Sequence, residues 1–142
     1  MIRDLERKDM KWLAKLYEQF WGEQSDIGSM CELFDRISSR KDYILLGAEE
    51  DGKLAGSVTG IVCEEMYGTC EPFLVLENMV VDQGCRRRGI GKALLEEMEA
   101  RARVKGCRQV ILVTESDRMD ACGFYVSAGF HPTANAGFKK KL

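Results

Sequence analysis

Residues 73 to 105 constrain the fold of this chain more than any other stretch. Phe73-Leu74-Val75-Leu76-Glu77-Asn78-Met79-Val80-Val81 reads as an apolar strand carrying two polar residues in its middle. It passes through a loop, Asp82 to Arg88, into a helix running from Gly89 to about Lys105, and Gly106 ends that helix as a left-handed cap. Ile90, Leu94, Met98 and Ala102 recur at helical spacing as an inner face, while Lys92, Glu96, Glu99 and Arg103 face outward. Glu97–Arg101 and Glu99–Arg103 are spaced to pair along the outer surface. An amphipathic helix entered directly from a strand needs a sheet to lie on, so the chain belongs to the α/β class.

The rest of the chain reads compatibly. Ile2-Arg3 suits a short first strand, and Met10, Leu13, Leu16, Tyr17 and Phe20 keep helical spacing from Asp9 onward. Ser29 with Glu32 three residues later has the form of a capping box, which predicts a second helix beginning there, with Met30, Leu33, Phe34 and Ile37 inside. Tyr43 to Glu49 and Leu54 to Cys63 predict two strands joined by an Asp51-Gly52 turn, with Gly56 and Gly60 as candidate bulge positions. A polar loop, 64 to 72, leads to the central strand. Arg108 to Thr114 predicts a short buried strand, Met119 to Ala128 a last helix ending at Gly129, and Phe130 to Leu142 one or two closing strands. With no repeat, linker or low-complexity stretch, residues 1–142 predict a single α/β domain with mixed strand pairing.

Composition removes several classes of function. A net charge of −2 supplies no field for nucleic acid or an anionic membrane. No apolar run approaches the ~18 residues of a membrane span. The first residues, Met1-Ile2-Arg3-Asp4-Leu5-Glu6-Arg7-Lys8, lack an apolar signal core, so the expected location is cytoplasmic, with reduced thiols. Cys31, Cys63, Cys70, Cys85, Cys107 and Cys122 include no C-x-x-C pair, and His131 is the only histidine, so neither a disulfide framework nor a metal site is expected.

The chemistry concentrates in Cys85-Arg86-Arg87-Arg88-Gly89-Ile90-Gly91-Lys92. Unpaired amides at a helix start, reinforced by the helix dipole, form an anion site. Glycines let backbone approach a phosphate, and the arginines and Lys92 add positive charge. A phosphate loop of the G-x-x-x-x-G-K-[ST] type fails because Ile90 stands where its lysine is needed, and a G-x-G-x-x-G dinucleotide fingerprint lacks its third glycine. A solvated basic turn is the plainer alternative.

Arg86-x-x-Gly89-x-Gly91 resembles the Q/R-x-x-G-x-G/A signature of the GNAT superfamily of N-acetyltransferases, and it lies between the expected strand and helix. Downstream, Ala121-Cys122-Gly123-Phe124-Tyr125-Val126-Ser127-Ala128-Gly129-Phe130 resembles that family's A-x-x-x-Y-x-x-x-G-F ending. The resemblance covers the chain from about Ile44 to the end. It implies a mostly antiparallel central sheet flanked by about four helices and splayed after its fourth strand, with acetyl-CoA as cosubstrate. It further implies that Met79, Val80 and Val81 bond the pantetheine arm through their backbones, as an added strand would. The amides of Arg87, Arg88, Gly89, Ile90, Gly91 and Lys92, with Arg86 at the head of the motif, would then wrap the pyrophosphate. Phe124 and Tyr125 would lie beside the thioester sulfur.

The same resemblance assigns roles in acyl transfer. Tyr125 matches the family's general acid for the leaving thiolate, and a phenol with an ordinary pKa of about 10 holds its proton at neutral pH. A tyrosine filling a helix–sheet seam is the other reading. Glu77 matches the position of a base, where an apolar strand would bury a carboxylate beside a cleft and favour its proton uptake; an exposed face or a substrate-orienting anion are the alternatives. The oxyanion donor would be an amide near Val80. Arg118 stands where many members carry Asn. Arg118-Met119-Asp120-Ala121-x-x-Phe124-Tyr125 and the tail Gly137-Phe138-Lys139-Lys140-Lys141-Leu142 are similar instead to aminoalkylphosphonate-type and related small-amine acetyltransferases. Arg118 then contacts coenzyme or a substrate anion, or pairs at the surface with Asp120 or Glu115. Glu23, Asp26, Glu64, Glu65 and Glu71 fall in segments that line the family's acceptor groove. The expected reaction is acetyl transfer from acetyl-CoA to a primary amine of a small molecule in a ternary complex, with pairing of two copies implied by the resemblance. A protein or peptide N-acetyltransferase, or a non-catalytic acyl-CoA-binding module, are the alternatives.

Overall fold

The computed structural model describes residues 1–133 and 135–142, in two compact units, Met1–Ile111 and Leu112–Leu142. In the first unit, β2 (Tyr43–Glu50) turns into β3 (Lys53–Cys63) through Asp51 and Gly52, at φ 48° and 74°. Two consecutive positive φ values match the twist of a two-residue hairpin, which is why Asp-Gly stands there. β1 (Ile2–Asp4) flanks β2, β4 (Phe73–Val81) flanks β3, and β5 (Val110–Ile111) adds to β4. All neighbours are antiparallel except β4 and β5, so the sheet is mixed and mostly antiparallel, as expected.

Helix α3 (Ile90–Val104) lies across β3 and settles onto its glycines. A Cβ on Gly60 would stand 2.5 Å from the Met98 sulfur and 3.1 Å from Leu74, and one on Gly56 would stand 3.0 Å from the Val80 carbonyl oxygen. Both glycines permit close helix–sheet approach, and Gly56 also stands beside a bulge, since the β2–β3 pairing passes from Ala48–Gly56 to Glu49–Leu54 and leaves Ala55 extra. A second register shift, in the β3–β4 pairing, falls between the two glycines at Val58. Leu94, Leu95 and Met98 of α3 are fully buried together with Leu46, Val58 and Leu74 of the strands. Each such side chain contributes about 1.5–3 kcal/mol of burial. On the outer surface Arg101 donates to Glu97 at 2.8 Å and Arg103 to Glu99 at 3.4 Å, the two pairs expected from spacing.

Helices α1 (Met10–Trp21) and α2 (Ile27–Ile37) follow β1. Met10, Leu13 and Leu16 of α1 join Leu5, Leu54 and Val80 in a buried cluster, against which Tyr17, Phe20, Met30 and Phe34 pack. Burial pushes the Tyr17 phenol up to about 12. The start of α2 corrects the expectation of a cap at Ser29: the helix begins two residues earlier, and Asp26 is the cap, accepting from the Ser29 amide at 2.7 Å. The Asp26 carboxylate satisfies the third helical amide, which is that of Ser29 itself, so Ser29 lies inside the helix and is not its cap. Beneath α1, Asp9 is 2% exposed and accepts two bonds from the Arg3 guanidinium (2.7 and 3.0 Å) and one from the Glu6 amide (2.8 Å). Arg3 also reaches Glu49 at 2.7 Å, locking β1, β2 and the approach to α1 together.

In the second unit α4 (Met119–Ser127) ends before Gly129, which has φ 91°. Two strand expectations are corrected. Only Val110–Ile111 of the stretch 108–114 pairs with β4. No described residue of 130–142 is in a strand, Ala134 lying outside the described residues. Pro132, Gly137 and three adjacent lysines leave that tail with no alternating apolar face to bury, and Phe138 is 96% exposed.

Candidate functional site

β4 carries the first half of the site. Its pairing with β3 slips between Thr59, opposite Glu77, and Ser57, opposite Val80, so Asn78 and Met79 together face the single residue Val58. Asn78 takes φ 51°, a left-handed conformation that Asn tolerates better than a branched residue. The bulge breaks the inside–outside alternation, and Glu77 and Asn78 are both exposed while Val80 is buried. The sequence signal for it was the Glu-Asn pair in an otherwise apolar run. Of the two placements open to Glu77, beside a cleft or on an exposed face, the structure shows an exposed residue that shares a sheet face with its cross-strand partner Thr59.

The bulge also redirects backbone groups. The Asp82 amide donates to the Ala55 carbonyl at 2.8 Å, and Val81 is opposite Gly56. In an antiparallel ladder this makes Val80 face β3 and turns the N–H and C=O of Val81 and Met79 to the other edge. Parallel pairing with β5 covers that edge only at Leu74 and Val75. Beyond Val75 no strand among the described residues occupies it, so Met79 and Val81 offer an open strand edge.

The second half is the loop into α3. Asp82 caps a short 3-10 turn, Gln83–Cys85, by accepting from the Gly84 amide at 2.8 Å. Gln19 of α1 grips the same turn: it donates to Asp82 at 3.0 Å and accepts from the Gln83 amide at 3.3 Å. This grip was invisible in the sequence, because 64 residues separate its partners. Arg87 (φ 60°) and Gly89 (φ 81°) then turn the chain left-handed, aiming it into the helix.

The start of α3 is unusual as a helix terminus. Gly89 caps it with no side-chain hydrogen bond, and no acidic residue stands in its first turn. The first amide to find a helical acceptor is Ala93, which donates to the Gly89 carbonyl at 2.9 Å. The amides of Ile90, Gly91 and Lys92 are therefore unspent on the helix. By contrast α2 spends its first amides on Asp26, whose carboxyl the Ser29 amide holds below the usual carboxylate range. Arg86 and Arg87 are exposed and, among the described residues, make no ion pair. Arg88 pairs with Glu50 at 2.9 Å, and Lys92 stands 3.7 Å from Glu96. A Cβ built on Gly89 meets nothing within 4 Å, so open space adjoins this terminus. Uncapped amides, excess positive charge and open space fit the pyrophosphate of a coenzyme.

The second unit holds Phe124 and Tyr125 on α4. Their rings are 5.3 Å apart, and Tyr125 meets Phe130 edge-on at 5.7 Å. The Arg118 amide donates to the Glu115 carbonyl at 3.1 Å as α4 begins. Of the acidic residues expected along an acceptor groove, Asp26 caps α2 and Glu65 accepts from Arg108 at 2.8 Å.

The profile described as "Acetyltransferase (GNAT) family" matches residues 10–130. The chain belongs to the acetyltransferase (GNAT) family. The match to this GNAT chain begins in α1, well before the segment from about Ile44 where the motifs suggested it. Glucosamine 6-phosphate N-acetyltransferase 1 of Oryza sativa subsp. japonica is 31% identical over 91 residues, covering 63% of this chain and 53% of that protein. The aminoglycoside N(6')-acetyltransferase type 1 of Klebsiella aerogenes is 27% identical over 150 residues, covering 100% and 97%. The GNAT chain thus spans about half the length of the rice relative. Among solved structures, a putative acetyltransferase from Agrobacterium tumefaciens str. C58 superposes with TM-score 0.92 at 22% identity, covering 100% and 99% of the two chains, which establishes the GNAT fold. No helix among the described residues is long and apolar enough to cross a membrane.

Proposed function

We propose that residues 1–142 act as one N-acetyltransferase domain that moves an acetyl group from acetyl-CoA to a primary amine of a small molecule, by direct attack in a ternary complex. The observation that carries this reading is the uncapped, acid-free start of α3 beside three arginines, adjoining the open edge of β4. Arg86, Arg87 and the amides from Gly89 to Lys92 hold the pyrophosphate, and Met79 and Val81 hydrogen-bond the pantetheine amides as an added strand. Val80 supports this edge from inside, its side chain being 3% exposed. Bound acetyl-CoA supplies an activated thioester. The bulge amide at Met79 steadies the developing oxyanion, Glu77 takes the proton of the attacking amine directly or through water, and Tyr125 protonates the departing thiolate beside Phe124. Exposure of Glu77 suits a base that exchanges its proton with solvent.

A free small-molecule acceptor is favoured by the aminoglycoside-modifying relative that this chain matches over nearly its whole length. The aminoalkylphosphonate-type branch is one candidate within that class, resting on the Arg118-to-Tyr125 motif and the lysine tail. Six free thiols suit a reducing compartment such as the cytoplasm. Sedimentation reads whether two copies pair, as the resemblance implies.

Thiol release from acetyl-CoA, measured against amino sugars, aminoglycosides, polyamines, aminoalkylphosphonates, amino acids and peptides, tests the reading. A small amine is expected to give saturable turnover; release with peptides alone would overturn the acceptor class. Tyr125→Phe is expected to lower kcat about tenfold or more with coenzyme affinity nearly unchanged, because only the proton donor is removed. Unchanged kcat would take Tyr125 out of the reaction.

A further inference from the structure

Of the three consecutive arginines in the coenzyme loop, one has its charge already engaged. Arg88 forms an ion pair with the Glu50 carboxylate at 2.9 Å, and it donates to the Cys85 sulfur at 3.9 Å. Glu50 is the last residue of β2, directly before the Asp51-Gly52 turn and opposite Lys53, so it sits at the paired end of a hairpin. Its side chain is 29% exposed against 56% for Arg88. The carboxylate is therefore the more buried member of the pair and the guanidinium the more exposed one. Arg88 lies two residues before the first unspent amide of α3, on a segment held left-handed at Arg87 and Gly89. A phosphate seated on those amides and the Glu50 carboxylate are thus rival acceptors for one guanidinium.

Resting on the coenzyme reading above, we propose that Glu50 is a competing anion built into the coenzyme site, which recaptures Arg88 and so speeds coenzyme release. Charge decides the sign. A phosphate arriving at this loop meets Arg88 already neutralised by Glu50 and must displace a carboxylate before it gains the arginine. The exchange is inexpensive because the pair is partly solvated. It leaves the coenzyme held by the amides and by Arg86 and Arg87, with Arg88 as a switchable contribution. A residue that merely shaped the loop would have the opposite signature: removing it would loosen the cradle and weaken binding.

Calorimetric titration with CoA, combined with stopped-flow displacement of bound CoA, separates these cases in the intact chain and in Glu50→Gln and Glu50→Ala. Both variants are expected to bind CoA about 3- to 10-fold tighter, through slower release, since an arginine–phosphate contact is freed of its competitor. Glu50→Asp, which keeps the charge on a shorter arm, is expected to fall between wild type and Glu50→Gln. Unchanged or weaker binding in folded Glu50→Gln and Glu50→Ala, with normal CoA binding by wild type, would overturn the proposal and make Glu50 a support for the loop. Absence of CoA binding by the wild-type chain would remove the coenzyme reading itself, and this proposal with it.

Discussion

Gly89→Val is expected to weaken acetyl-CoA binding by about a hundredfold or more, with a much smaller loss of stability. Gly89 stands at φ 81°, where a β-branched residue is strained by about 1–2 kcal/mol. The Cβ itself meets nothing within 4 Å, so the substitution acts through the backbone and by filling open space, not by a clash in the core. Relief of that strain swings the first turn of α3 and misaligns the amides of Ile90, Gly91 and Lys92. Losing two charge-assisted bonds of about 1.5–3 kcal/mol each accounts for the expected effect on affinity. Gly106 provides the control. It has φ 76°, equally open surroundings and a place at the far end of the same helix. Gly106→Val is expected to cost similar stability and leave coenzyme affinity unchanged. Titration calorimetry with thermal melts on both variants checks the pair; equal affinity loss in both would mean that helix integrity, not the amide cradle, governs binding.

Arg3→Ala is expected to lower the unfolding free energy by about 3–5 kcal/mol, because it strands a buried carboxylate. Burial alone pushes the Asp9 carboxyl up, but the Arg3 hydrogen bonds and the Glu6 amide outweigh it and hold it below the usual carboxylate range. A carboxyl depressed in the folded state contributes stability that is complete above its unfolded pKa of about 3.9 and is lost as pH falls through its folded value. In Arg3→Ala the upward push of burial is opposed only by the Glu6 amide and the more distant Lys8, so acid unfolding is expected to begin at higher pH than in the wild type. Urea unfolding across acidic pH reads both effects. A variant with wild-type stability and an unmoved acid limb would show that the Arg3–Asp9 pair is incidental.

What the sequence disclosed and what it hid follow from the range of the interactions. The β4–loop–α3 unit was legible because strand period, helix period and Gly/Arg punctuation all act within a few residues, and the Asp51-Gly52 hairpin for the same reason. The Glu97–Arg101 and Glu99–Arg103 pairs lie one turn apart on a helix and were legible too. The Arg3–Asp9–Glu49 lock, the Gln19 grip on the loop before α3 and the Glu50–Arg88 pair join residues from different elements, and no local pattern marks them. The exposure of Glu77 could not be decided from the sequence, because the apolar run around it hid a bulge that only the pairing with Thr59 and Ser57 defines. The closing strands expected over 130–142 do not form because its lysines, Gly137 and Pro132 leave no alternating apolar face.

The central claim is a set of contacts between coenzyme phosphates and the amides that open α3. Backbone amide NMR during a CoA titration tests it most directly. The amides of Ile90, Gly91 and Lys92 are expected to move downfield together, following one saturable binding curve. Pantetheine, which lacks the pyrophosphate, is expected to move Met79 and Val81 but not these three. Saturable CoA binding that leaves the Ile90, Gly91 and Lys92 amides in place would contradict the account.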